Sequence, residues 1–463
     1  MMRALPLLVL LWPSCRAQVP DENVFTGRKN DNEPAVTSSG GFDARATGGT
    51  SSHPTSSGGR GGSVSPAGSG GTSDSAGAAE GGDDSGGDKN GSGGATTVEP
   101  TPSFSKEALL KSIARCTSEQ VQAFATAANV LSFRLEAHEN APSQETLVDA
   151  QGAWAAAMDS LQVLETLRFG PMARANEDPK GLDVRDQIYA WPLGGRCNVE
   201  TQIVSKGYEG AGFASSLINV RGMGALEYLL FYPGADNACP SYAAMNAQGT
   251  WAALGPEELR QRKARYARTV AHDVAEHAHA LLAAWQSTNG GFEAALAAGR
   301  AYPTLQAALN AASNALFYAE IEVKDLKLAV PLGLSPDCTN ATCPEALESR
   351  YASFSKRNIS NNLSGFRRMF SGCAATGPDA VGFDDWLDAV GANDLRARML
   401  TALSNAEESL SPADETLEQE LLVEPARVRR IYDSVKALTD LLKSEFVSVL
   451  ELELPKTTEG DND

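Results

Sequence analysis

The chain has 463 residues, 42% of them hydrophobic, and its 58 acidic against 39 basic side chains give a formal net charge of −19. A surface this acidic excludes a direct role on the phosphate backbone of DNA or RNA, which recruits basic patches through counterion release. Acidity otherwise favours solubility and raises the local cation concentration without specifying a site.

The N-terminus reads Met1, Met2, Arg3, an apolar run from Ala4 to Trp12, then Pro13, Ser14, Cys15, Arg16 and Ala17. These are the n, h and c regions of a secretory signal over residues 1–17. The apolar run is too short to span a bilayer as a helix. Two processing routes fit: cleavage after Ala17, or cleavage before Cys15 with lipid attached to it, which makes Cys15 the lipidation candidate. Either route predicts an exported protein of the periplasm, outer membrane or cell surface, and the second gives it membrane contact only through an N-terminal lipid. Residues 18–103 follow, where the 43 glycines are densest and stretches such as GGTSSHPTSSGGRGGSVSPAGSGG recur. Such a segment cannot bury enough apolar surface to offset its ordering entropy. It reads as a disordered tether with a mean reach of about 50 Å.

From Phe104 the apolar residues recur at helical spacing. The predicted helices are Lys106–Glu139, Ser143–Arg168, Val199–Lys206, Ser215–Phe231, Pro256–Ser287, Thr304–Ala329, Ser355–Phe370, Asp394–Leu410 and Pro425–Leu452. In the second, Leu147, Ala150, Trp154, Met158, Leu161 and Leu164 form one apolar stripe. Strand signals are nearly absent. Long helices with short connections predict an all-α fold, two packed antiparallel bundles over residues 104–455 with a boundary near 235–290, and an acidic tail over 456–463. Cys15 aside, six cysteines remain, Cys116, Cys197, Cys239, Cys338, Cys343 and Cys373, enough for three disulfides in an oxidising compartment. Cys338 with Cys343 is the candidate pair, because SPDCTNATCP is turn-rich and closes a short loop.

AWAAAMDSLQVLETLRFGPM, IYAWPLGGRC, INVRGMGALEYLLFYPG and EVKDLKLAVPLGLSPDC with the later ESRYASFSKRNISNNLSGF resemble, in order and spacing, segments of the imelysin family. The third is the most telling. The family carries a Gly-x-His-x-x-Glu element on a helix, and here it reads Gly222, Met223, Gly224, Ala225, Leu226, Glu227: the glutamate stands and Gly224 occupies the histidine position. The resemblance implies a two-bundle helical fold, an envelope location and a link to iron or other metal acquisition, with a divalent metal or iron as the implied cofactor. Some members are classed as metallopeptidases. Such chemistry needs three protein ligands, a general base and an open position for water, and a carboxylate without the imidazole binds transition metals weakly. Peptidase activity is therefore not expected.

Glu227 sits among apolar residues, so it is expected to be buried with a partner, for which Arg168, Arg196 and Arg221 are the candidates. A binding cleft is expected between the bundles near Glu227, Arg168 and Arg196, with Gly222 and Gly224 in mid-helix permitting close packing or leaving room for a ligand. Trp191 joins them as a binding candidate, although it, Trp154 and Tyr228 read equally as core and interface rings. The histidine cluster His272, Glu276 and His279, with Asp273 and His277 adjacent, lies opposite the core stripe of its helix. It is a candidate metal set, or simply a solvated face. These readings point to a non-catalytic, envelope-tethered binding or accessory protein whose partners are a metal ion or iron-bearing ligand and other envelope proteins. The rivals are a divergent metallopeptidase completed by His272 or His279, and a structural surface protein.

Overall fold

Helix starts follow from local chemistry in the structure, a computed structural model that describes residues 104–286, 291–374, 377, 380–412 and 415–456. The signal segment with Cys15, the 18–103 tether and the tail beyond residue 456 lie outside the described residues. Helix α1 (Lys106–Asn140) opens where Ser105 accepts a hydrogen bond from the amide of Ala108. Ser143 and Thr146 form a capping box at the start of α2 (Gln144–Glu165). Short α3 (Val184–Ile188) and α4 (Arg196–Ser205) lead to α5 (Gly222–Phe231) and α6 (Ala244–Ala247). Pro256 occupies the first turn of α7 (Pro256–Trp285), where its missing N–H costs nothing. Then come α8 (Phe292–Ala297), α9 (Leu305–Leu316), a π-helical segment over Ala319–Ala329, α10 (Ser355–Ser371), α11 (Phe383–Ala389), α12 (Asn393–Ser409), α13 (Leu417–Val423) and α14 (Pro425–Leu441). No strand occurs among the described residues.

Helix α1 packs along α2 and α7, and α5 closes that group against α7 and α2. Helices α12 and α14 pack together, α14 and α10 both meet the π segment, and the opposite side of α2 meets α10. One continuous apolar core runs through both groups, with Trp154 and Trp285 fully buried.

Three predicted helices differ in extent. The segment predicted as Ser215–Phe231 forms two 3₁₀ turns, Phe213–Ser215 and Ile218–Val220, before α5 begins. Gly222 stands at the break with φ +73°, a left-handed conformation that an α-helix cannot continue through. It is thus the first residue of α5 rather than a mid-helix glycine. The Thr304–Ala329 prediction divides into α9 and the π segment, whose wider turn buries Glu320, Glu322, Lys324 and Lys327, with Glu322 and Lys327 paired to Arg168 and Glu348 elsewhere in the chain. Beyond Leu441 the last helix passes through a π turn, Leu442–Phe446, and ends at Val449 instead of Leu452.

Disulfides join Cys338 to Cys343, as the turn-rich loop predicts, and Cys116 to Cys373 and Cys197 to Cys239. The last ties the start of α4 to the loop after α5 across 42 residues. A closure of that length restricts the unfolded chain by about 4 kcal/mol. The double variant C197A/C239A is therefore expected to lose about 3 to 4 kcal/mol in a guanidinium titration, and unchanged stability would refute that account.

Candidate functional site

A cavity of about 350 Å³ lies where stretches of the sequence far apart in the chain converge: Tyr189–Arg196, Gly224–Tyr228, part of the π segment and its following loop, and Glu345–Tyr351. The first follows from α3, whose C-terminal Tyr189 projects its ring into the space, while Trp191 and Pro192 are joined by a cis peptide bond. Helix α5 approaches closely from the other side. A Cβ on Gly222 would stand 2.4 Å from the carbonyl oxygen of Ile188, so glycine is required there by both space and backbone angle. At Gly224 the situation is the reverse. A Cβ there would meet nothing nearer than the Tyr189 ring at 3.9 Å, and Gly224 lines the cavity. The position that carries histidine in the imelysin motif is therefore open space.

Glu227 lies one turn further along α5, is 5% exposed and also lines the cavity. Its Oε1 accepts hydrogen bonds from the amides of Tyr351 (2.8 Å) and Ala352 (3.2 Å). Burial pushes its carboxyl up to about 8; the two amides oppose the rise, and the nearby Glu348 and Glu418 add to it. The group is therefore mostly a neutral acid at pH 7, with a hydroxyl to donate.

None of the expected arginines pairs with it. Arg168 is held by Glu322 at 2.8 Å and does not line the cavity. Arg196 pairs with Glu200 (2.5 Å) and Asp236 (2.7 Å) and lies over the Tyr232 ring, and Arg221 pairs with Asp273 at 3.1 Å. Each guanidinium is already satisfied by an acid on another turn or element, which removes the reason for it to seek Glu227. Arg196, Arg221 and Trp191 nonetheless line the cavity with Glu227 and Gly224.

The histidines lie elsewhere. His272 and Glu276 are exposed on α7 with 3.7 Å between them, and His279 bonds Asn129 of α1 at 2.8 Å. None of the three lines the cavity, and among the described residues no three His, Cys, Asp or Glu side chains group as metal ligands. Asp273, beside them in sequence, is buried and turned to Arg221.

Several residues of the cavity escape a reading by motif. Tyr189 donates its hydroxyl to Glu348 (2.9 Å), which Lys327 neutralises at 3.0 Å while also donating to Gln162 and Asn362. Burial lowers the Lys327 ammonium, and Glu348 opposes this. Tyr228, Tyr232 and Tyr351 pack ring on ring at 5.3 to 5.8 Å. Asn219 lines the space with an Oδ1 that has no hydrogen-bond donor. The signal for Tyr189, Asn219, Glu348 and Tyr351 was their presence inside the motif-like segments. Nothing in the sequence showed that those segments meet.

Two solved structures share the fold. One is an iron-regulated protein A precursor from Parabacteroides distasonis ATCC 8503, with TM-score 0.56 and 15% identity over 75% of this chain and 97% of that one. The other is an imelysin-like protein from Psychrobacter arcticum 273-4, with TM-score 0.55 and 15% identity over 76% of this chain and 98% of that one. The comparison with curated proteins found no match. The family model for imelysin matches residues 118–444, a span that holds the cavity and every helix from within α1 to the end of α14, and the chain belongs to the imelysin family.

Proposed function

We propose that the protein is an exported, non-catalytic binding component of the cell envelope, working in iron or other metal acquisition, and that it takes its ligand in the cavity at Glu227. The observation that carries this reading is Gly224: where the family motif places an imidazole, this chain leaves room beside a buried acid. Export is supported by the signal-like residues 1–17 and by the relative named as a precursor. The link to iron rests on that relative's name as iron-regulated and on the family. Cys15 of the signal-like segment is the proposed lipidation site; among the described residues no helix is long and apolar enough to cross a membrane.

A resident zinc or iron ion does not fit this donor set. No histidine or cysteine side chain lines the cavity, and of its two buried carboxyls Glu227 holds its proton at neutral pH and Glu348 is taken by Lys327. Metal is therefore treated as cargo arriving with its own ligand, and the peptidase reading lacks the groups to activate a water.

Filling the cavity tests this. Gly224→Phe places a ring in the open space, and the protein is expected to fold but fail to restore growth of a deletion strain under iron or zinc limitation. Full rescue by a folded Gly224→Phe protein would overturn the reading.

A further inference from the structure

We propose that the cavity binds a small organic monocarboxylate, its apolar body against the Trp191 and Tyr351 rings and its carboxylate shared between Arg350 and the acid group of Glu227. This rests on the reading of the cavity as the ligand site and specifies what enters it.

Arg196 and Arg221 are neutralised by Glu200, Asp236 and Asp273. Glu348 is neutralised by Lys327. Arg350, which is exposed, differs from its neighbours: among the described residues no carboxylate lies within ion-pair distance of it, and its polar partner there is the Tyr351 hydroxyl at 2.8 Å, with the guanidinium over the same ring. Glu227 has no cationic partner and uses only one oxygen, on the amides of Tyr351 and Ala352. Arg350 and Glu227 thus meet at Tyr351, one at its ring and hydroxyl, the other at its backbone N–H.

An arginine and a protonated acid that line one cavity are two donors for one anion. A carboxylate accepts from both, in charge-assisted bonds that are shorter and stronger than neutral ones. A cation, by contrast, would meet the uncompensated Arg350 and would require Glu227 to ionise where it is buried. The body of the ligand is set by the remaining wall, in which Val199, Ile218, Ala225, Leu326 and Leu347 accompany the aromatic rings.

The charge state of Glu227 then gates binding. Facing it are Glu348 and Glu418, which disfavour its anion, and the two amides, which favour it. The Tyr189 phenol stands beside Glu348, and Arg196, Arg221 and Arg350 also line the cavity. Asp337 and Glu345 sit at the exposed rim, in contact with water. Loss of the Glu227 proton near pH 8 replaces a donor by a second negative charge.

The probes are benzoate, its neutral isostere benzamide, its cationic isostere benzamidine and Zn2+, titrated calorimetrically into the full chain. Benzoate is expected to bind most tightly at pH 6.5 and to weaken about tenfold at pH 9, as the protonated fraction of Glu227 falls. Glu227→Gln, which keeps a donor without a titrating proton, is expected to bind benzoate with a flat pH profile. Arg350→Ala is expected to weaken benzoate while leaving benzamide unchanged. Tighter binding of benzamidine or Zn2+, benzoate binding that strengthens with pH, or no saturable benzoate binding would each overturn the proposal. If benzoate fails while Gly224→Phe still fails to restore growth, this inference falls and the wider reading of the cavity stands.

Discussion

Arg185→Ala is expected to destabilise the protein by about 3 to 5 kcal/mol, the range for breaking one side of a buried ion pair. Arg185 and Glu165 are 2% and 0% exposed and lie 2.7 Å apart at their closest, with the guanidinium Nε donating to both carboxylate oxygens. A further bond joins Arg185 to Asp186, which Arg174 also holds. Removing the guanidinium leaves Glu165 fully buried, with only the more distant Arg168 and Lys327 to favour its anion. It also frees α3, whose end carries the cavity residue Tyr189. The paired substitution Arg185→Met with Glu165→Met removes both charges and is expected to recover most of the loss, because the desolvation cost disappears with the attraction. Guanidinium titrations of the three proteins check this; equal losses in the single and double variants would show that the charge itself is not what matters.

Much of this fold is legible in the sequence because helix ends carry their own chemistry. Ser105, Ser143, Pro256 and Pro425 mark starts that the structure keeps to within a residue. The failures have local physical causes. A left-handed glycine at residue 222 cuts a helix that hydrophobic spacing alone would extend back to Ser215, and the π segment reuses a helical pattern at a wider turn to aim buried charges at partners. The candidate site is legible as segments and not as contacts. Glu227 could be named from its motif, but its partners are amides 124 and 125 residues onward, and backbone N–H groups leave no mark in a sequence. A buried acid needs compensation, and the sequence offers arginine for it. Arginine fails because Glu322, Glu200, Asp236 and Asp273 claim those arginines first, and Arg350, a cavity arginine with no acid at ion-pair distance among the described residues, resembles any surface arginine.

Glu227→Gln is expected to stabilise the protein at alkaline pH by up to about 5 kcal/mol and to change little at pH 4. An acid held near 4.5 in the unfolded chain and raised to about 8 in the folded one binds its proton more tightly when folded. Its contribution is therefore complete below the unfolded value and lost as pH rises through the folded one. At roughly 1.4 kcal/mol per unit, the window between those values sets the size of the loss. Glutamine keeps an oxygen for the Tyr351 and Ala352 amides and has no proton to lose, so the variant lacks this slope. Every other titrating group is common to both proteins, and the difference between their denaturation curves at pH 4, 6.5 and 9 isolates this one. Glu227→Ala separates the two parts of the account. It removes the slope as well, but leaves both amides without their acceptor, at a cost of about 1 to 3 kcal/mol for an unsatisfied buried polar group. Parallel stability curves for wild type and Glu227→Gln across that range would mean that Glu227 is ionised in the folded protein, and the neutral donor on which the carboxylate site depends would not exist.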